Sequence, residues 1–141
     1  LARSSCEKTA LGAYEVTDCI HPDVILVATG SEVSLAMDAA VALAPLQVRV
    51  VSMPSCELFR SQPREYRDSL LPPSTPKMSI EMTSTYAWME FVDACVGINS
   101  FGASAPGAVC VKHFGFTVDN VVGCARRLVD GERGTLSDGS V

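Results

Sequence analysis

Apolar residues gather in blocks along this chain, and the densest lie between Asp23 and Pro54. Val24 to Ala28 is an unbroken apolar run, too short for a helix and rich in β-branched residues. Such a run suits a strand buried on both faces, as in a parallel sheet covered by helices. Thr29-Gly30-Ser31-Glu32 follows in the order of a capping box. In that box the Thr29 hydroxyl would accept from the Glu32 amide, and the Glu32 carboxylate from the Thr29 amide. Val33, Ala36, Met37, Ala40, Val41 and Ala44 then recur at helical spacing. They predict a helix from about Ser31 to Ala44, stopped by Pro45, which has no amide to donate. Val48, Val50 and Val51 lead the next strand, so the stretch reads as a right-handed βαβ unit.

The flanking pattern extends this unit. Tyr14 to Val16 alternates and predicts a short strand, and only the turn Thr17 to Pro22 separates it from Val24. A parallel pair needs a long crossover, so Tyr14–Val16 is expected to run antiparallel at an edge. Short helical pieces are predicted at Cys56–Arg60 and Arg64–Leu70, then strands at Lys77–Met82 and Ala94–Ile98 with a short helix over Thr83–Phe91 between them. After the Phe101–Pro106 turn, Pro106 fits the first position of a helix. Thr117 caps the last helix, whose stripe is Val118, Val121, Val122, Ala125 and Leu128. The expected fold is an α/β three-layer α/β/α sandwich. Its mixed five-stranded sheet has four parallel strands and one antiparallel edge strand. Residues 1–13 read as a polar inbound linker, 14–129 as the domain, and 130–141 as a disordered tail.

Composition narrows the function classes. The 141 residues suit one domain, and 48% are hydrophobic against 19% charged. That balance favours burial and is consistent with surface covered by other domains or subunits. The net charge is −5, with no basic stripe, so nucleic acid is not an expected partner. No apolar run approaches a membrane span, and no signal-peptide pattern opens the chain. The cysteines at 6, 19, 56, 95, 110 and 124 include no Cys-x-x-Cys pair. Cys95, Cys110 and Cys124 have apolar neighbours and read as small core residues. Reduced thiols and an intracellular, cytoplasmic protein are expected, organelles not excluded. The first residue is Leu1, and the chain reads as a fragment, a processed product or a trimmed chain.

Candidate chemistry is sparse. Gly30 and Ser31 stand at a predicted helix N-terminus, where anions bind weakly. A lone glycine lacks the Gly-x-Gly-x-x-Gly pattern, and Glu32 would repel a phosphate, so a tight turn is the plainer reading. Ser104, in Gly102-Ala103-Ser104-Ala105-Pro106, is a second weak anion candidate. As a nucleophile it would need a base, and the chain has only His21 and His113. Glu81 ends a core strand, a favoured place for functional groups in α/β folds. It reads first as a hydrogen-bonding interface residue and second as a general base. Trp88, with Tyr86 and Phe91, reads as core or interface packing. Cys56 could be a low-pKa thiol at a helix start, although a packing role is plainer. No catalytic, cofactor-binding or metal-ligating residue is assigned.

The segments DVILVATGSEVSLA, VRVVSMPSCELF, TPKMSIEM, FGASAP and FGFTVDNVV occur in this order. Together they resemble the C-terminal domain of transketolases, over roughly Tyr14 to Leu128. STYAWMEFV departs from the family, which often has a glycine before the tryptophan, and DACVGINSFGASAP is compact. The resemblance implies a parent of three α/β domains that transfers a two-carbon ketol unit from a ketose phosphate to an aldose phosphate in the pentose phosphate pathway. It also implies thiamine diphosphate with Mg2+ or Ca2+, held by the two domains not seen in this chain, and a homodimer. This chain would then be a non-catalytic structural and assembly domain, partnered by those two domains. Two alternatives stay open. One is a stand-alone anion-binding module. The other is the matching domain of another thiamine-dependent enzyme, such as a deoxyxylulose-phosphate synthase or a pyruvate dehydrogenase β chain. FGASAP and SMPSCELF favour transketolase.

Overall fold

The computed structural model describes residues 6–82, 84–98 and 115–135. Along the chain lie α1 (Cys6–Ala10), β1 (Tyr14–Glu15), β2 (Val24–Ala28), α2 (Glu32–Ala42) and β3 (Val48–Ser52). They are followed by α3 (Cys56–Arg60), α4 (Arg64–Leu70), β4 (Lys77–Glu81), a 3-10 turn at Thr85–Ala87, β5 (Ala94–Gly97), α5 (Val118–Val129) and β6 (Gly134–Thr135). The sheet order is β1-β3-β2-β4-β5-β6. Strands β2, β3, β4 and β5 are parallel, and β1 lies antiparallel on β3, with Tyr14 opposite Ser52. The short turn before β2 therefore leads from the edge strand to the centre of the sheet, and β1 and β2 are not neighbours.

Every residue of β2, β3, β4 and β5 is buried. Because side chains alternate between faces, two cores result. Val24, Leu26, Val50, Met78, Ile80 and Val96 face α2 and α5. Ile25, Val27, Val51 and Cys95 face the other way, against Phe59 of α3, Leu70 of α4, Trp88 and Phe91. Phe59 is 1% exposed, its ring centroid 5.8 Å from Phe91 and 6.3 Å from Tyr66.

Several sequence expectations need correction. The buried side of α2 carries Val33, Ala36, Ala39 and Leu43, while Val41 is 78% exposed. Ala39 and Val41 stand roughly 200° apart around a helix, so both cannot face the sheet. Thr83–Phe91 was read as a helix, but among its described residues only the 3-10 turn Thr85–Ala87 and looser turns form. The region read as linker contains α1 and ends in packed residues: Ala13 is fully buried, and its carbonyl accepts from the Tyr66 hydroxyl at 2.7 Å. Gly12 has φ 85°, and a Cβ there would strike the Phe59 amide and lie 2.6 Å from the Ser55 carbonyl oxygen. Only glycine lets these two backbone segments meet so closely.

At the other end, the stretch read as tail adds a sixth strand. Gly134–Thr135 pairs parallel with β5, and the Gly134 amide donates to the Asp93 carbonyl at 2.9 Å. Main-chain pairing at a sheet edge needs no apolar side chain, which is why hydropathy missed it. Residues 99–114, with Phe101–Pro106 and the helix expected at Pro106, lie outside the described residues.

Phe59→Ala should lower stability by about 3–5 kcal/mol, because it opens a cavity in the second core. Val41→Ala, on the exposed side of α2, should change it by less than about 0.5 kcal/mol. Urea denaturation of both variants checks the pair.

Candidate functional site

Parallel register decides what meets at the C-terminal ends of the strands. Ala28 of β2 pairs with Ile80 of β4, so the next residues, Thr29 and Glu81, are brought side by side. The crossover from β2 leads to β3 on one side, and the chain returns to β4 on the other. The β2–β4 junction is therefore the topological switch point, where open α/β sheets have their ligand crevice. Here the chain fills it. Glu81 is 4% exposed, and its carboxyl accepts a hydrogen bond from the Thr29 amide.

That bond replaces the predicted capping box. The Thr29 amide goes to Glu81 rather than Glu32, and the Glu32 amide donates to the Thr29 carbonyl at 3.2 Å. Ser31 caps α2 without a side-chain bond to the helix. Its hydroxyl instead donates to the Glu32 carboxylate at 3.1 Å, and Glu32 is itself buried. The capping pattern was legible, but the competing carboxylate comes from a strand 52 residues away. The cap expected at Thr117 does form, its hydroxyl accepting from the Asn120 amide, and Ser55 caps α3 in the same way through the Leu58 amide.

Burial raises the Glu81 carboxyl from its ordinary value of 4.5 to about 7; the Thr29 amide pulls it down and the Glu32 carboxylate pushes it up. A carboxyl that titrates near neutrality has the acidity a general acid–base residue needs. Glu81, however, is shut from solvent and engaged with the Thr29 amide. Beside it opens a cleft of about 260 Å³ lined by Ser31, Glu32, Leu35, Asp38, Met82 and Phe116. Its charged lining is acidic, which disfavours anions. The diphosphate–metal unit of thiamine diphosphate does not fit this edge. One carboxyl takes the amide a phosphate would use, the Glu32 carboxylate accepts from Ser31, and no group of three or more His, Cys, Asp or Glu among the described residues could hold a metal.

The other candidates fall apart spatially. Gly30 is exposed with φ 56°, in a turn. Trp88 is 5% exposed and lies inside the second core, while Tyr86 beside it is 86% exposed. Burial raises the Cys56 thiol above its ordinary value, against an activated nucleophile, and its sulfur lies 3.7 Å from the Met53 sulfur. His21 is exposed; Ser104 and His113 lie outside the described residues. Sequence reasoning missed Arg49. This buried arginine donates to the carbonyls of Cys19, Ile20, Ser69 and Leu70 and lies 3.4 Å from Glu15. Its place between Val48 and Val50 in an apolar strand was the available signal.

Residues 12–117 match the family model described as the transketolase-like TK C-terminal domain. The chain is 44% identical to transketolase 1 of Saccharomyces cerevisiae over 131 residues, 92% of this chain and 19% of that protein. It is 45% identical to the Geobacillus stearothermophilus transketolase, with 86% and 19% covered. The chain thus spans about a fifth of the length of the curated relatives it matches. Among solved structures, the transketolase from Leishmania mexicana superimposes with TM-score 0.87 at 48% identity, covering 90% of this chain and 19% of that one. A Pichia stipitis transketolase in complex with sedoheptulose-7-phosphate gives 0.86 at 40% identity, with the same coverage.

The buried Glu81 links stability to pH. Unfolded, its carboxyl loses its proton near 4.5; folded, it keeps it to about 7. Between those values the folded chain binds more protons, so stability should fall as pH rises, by about 3 kcal/mol in all, and level off above pH 7. Glu81→Gln retains an acceptor for Thr29 and cannot ionise. It should remove this slope and be the more stable form at pH 8. Denaturation midpoints at pH 5, 6, 7 and 8 check both statements.

Proposed function

The chain belongs to the transketolase C-terminal domain family, and from that membership we propose that it is the non-catalytic structural and assembly domain of a transketolase. One observation carries the reading: relatives above 40% identity align with this chain through only about a fifth of their own length. The remaining four-fifths is where we place the thiamine diphosphate, its divalent metal and the catalytic residues. The site geometry supports that division, because Glu81 and the Thr29 amide are committed to each other at the crevice such a fold offers.

The reaction of the parent is the transfer of a two-carbon ketol unit from a ketose phosphate to an aldose phosphate, a step of the pentose phosphate pathway. A ketose phosphate is the ligand of the Pichia stipitis relative, which supports this substrate class. When bound, thiamine diphosphate supplies the electron sink for the carbanion. This chain's part is to pack: its sheet fixes a rigid body against which the other domains, and the second subunit of a homodimer, are held. Among the described residues no helix is long and apolar enough to cross a membrane. We place the parent in the cytoplasm or an organelle, one relative being the chloroplastic transketolase of Solanum tuberosum.

Calorimetric titration of the chain with thiamine diphosphate and magnesium should give no saturable heat, and the chain should not turn over ketose phosphate. Saturable micromolar binding, or ketol transfer by the purified chain, would overturn the non-catalytic reading. In a longer protein carrying the two preceding domains, both signals should be present.

A further inference from the structure

Away from the switch point, one arginine has no ion-pair contact among the described residues at a place shaped to receive one. A cleft of about 220 Å³ opens on the α3–α4 side of the sheet, walled by Phe59, Leu71 and Phe91. Its charged lining is Arg67, Asp68, Lys77 and Glu90. Three of these four are paired. Arg60 holds the Glu90 carboxylate with two bonds of 2.9 and 2.8 Å. Arg64 donates to Asp68 at 3.1 Å. The Lys77 ammonium donates to the Pro72 and Thr75 carbonyls at 3.0 and 2.8 Å and lies 3.7 Å from Asp93. Arg67 is different. Its Nε is buried with no hydrogen-bond partner among the described residues, and no described carboxylate stands within ion-pair distance of it, the Glu90 carboxylate acting on it only from farther off. Folded proteins satisfy such groups, because a buried donor that has lost water and gained nothing destabilises the fold.

We propose that this cleft binds a single carboxylate on a short apolar stem, anchored by Arg67. A guanidinium presents Nε–H and a neighbouring Nη–H as a planar fork that matches the two oxygens of a carboxylate. The Phe59, Leu71 and Phe91 walls suit the methylenes of the stem. The volume equals that of about seven liquid waters, room for an acid of roughly that many heavy atoms. Asp68 and Glu90 in the same lining oppose a doubly charged phosphate. Two sources share this chemistry: a free small carboxylic acid, and a Glu or Asp side chain from another segment of a longer protein. The proposal is independent of the assembly role above.

Proton–nitrogen NMR of the Arg67 Nε–H, in the 141-residue chain, reads binding directly. Four probes are titrated separately: butyrate, N-acetylglutamate methylamide, inorganic phosphate and 1-butanol. Either carboxylate should shift this resonance saturably, and Arg67→Lys, which keeps the charge without the fork, should weaken binding about tenfold. Tighter binding of the blocked glutamate supports a peptide source; tighter binding of butyrate supports a free acid. The proposal is overturned by a resonance that no carboxylate saturates, by phosphate or butanol binding as well as butyrate, or by unchanged affinity in a folded Arg67→Lys variant. Should that variant not fold, the wild-type titration decides alone.

Discussion

Burying both faces of β2 obliges the chain to build two apolar cores, and most of the fold follows from meeting that demand. One face is met by a helix that crosses to β3 and by α5; the other by α3, α4 and the Trp88–Phe91 turn. A strand so enclosed cannot leave a backbone group unpaired, because no water reaches it. It is therefore flanked on both sides, by β3 and β4. The first amide beyond its end, that of Thr29, no longer has a strand partner and still lies under cover. A carboxyl from β4 completes the pairing, so the Glu81 bond extends the sheet's logic one residue past the sheet.

The same demand explains a row of polar residues inside the second core. Lys77, Ser79 and Glu81 share one face of β4, and all are buried. Lys77 and Glu81 sit at opposite ends of the strand, where backbone groups are free to pair with them. Lys77 donates to loop carbonyls before the strand, and Glu81 accepts from the first amide of the loop that follows β2. Arg49 follows the same rule at the entrance of β3, binding two loop carbonyls and the last two carbonyls of α4. Polar side chains thus close the rims of the sheet by binding backbone groups of loops and of a helix end, which have no partner in the ladder. Ser79, in the middle of β4, has no loop to reach and lies beside the Cys95 thiol of β5 instead.

Legibility in the sequence tracked the range of the interaction involved. Runs such as VILVA and alternation such as KMSIEM report burial locally, and the strand positions and directions follow from them. Short helices at Cys56–Arg60 and Arg64–Leu70 were equally legible, since proline and serine punctuate them. Thr29-Gly30-Ser31-Glu32 shows where local reading stops. Its four residues spell a capping box, yet the partner that takes the Thr29 amide comes from β4. Only the register of two distant strands reveals that competitor. Arg49 was hidden for the same reason, because its partners are carbonyls from a loop before it and a helix end after it in sequence. Glu81 was singled out by position alone; what it binds was not readable.

A fold that plugs its own switch point also limits what can evolve there. To free the crevice, Glu81 must leave, and the Thr29 amide then lies under cover without an acceptor, a loss of about 1–3 kcal/mol unless the incoming ligand accepts that hydrogen bond. The ligand would meet Glu32, which is buried and fixed by Ser31, so a phosphate would also face an uncompensated carboxylate. Removing either carboxylate alone does not produce a phosphate site; both must change. Stability against neighbours and reactivity at the crevice therefore draw on the same groups in opposite directions. In this chain the groups close the crevice against a phosphate, with the Thr29 amide and the Ser31 hydroxyl already bound to carboxylates.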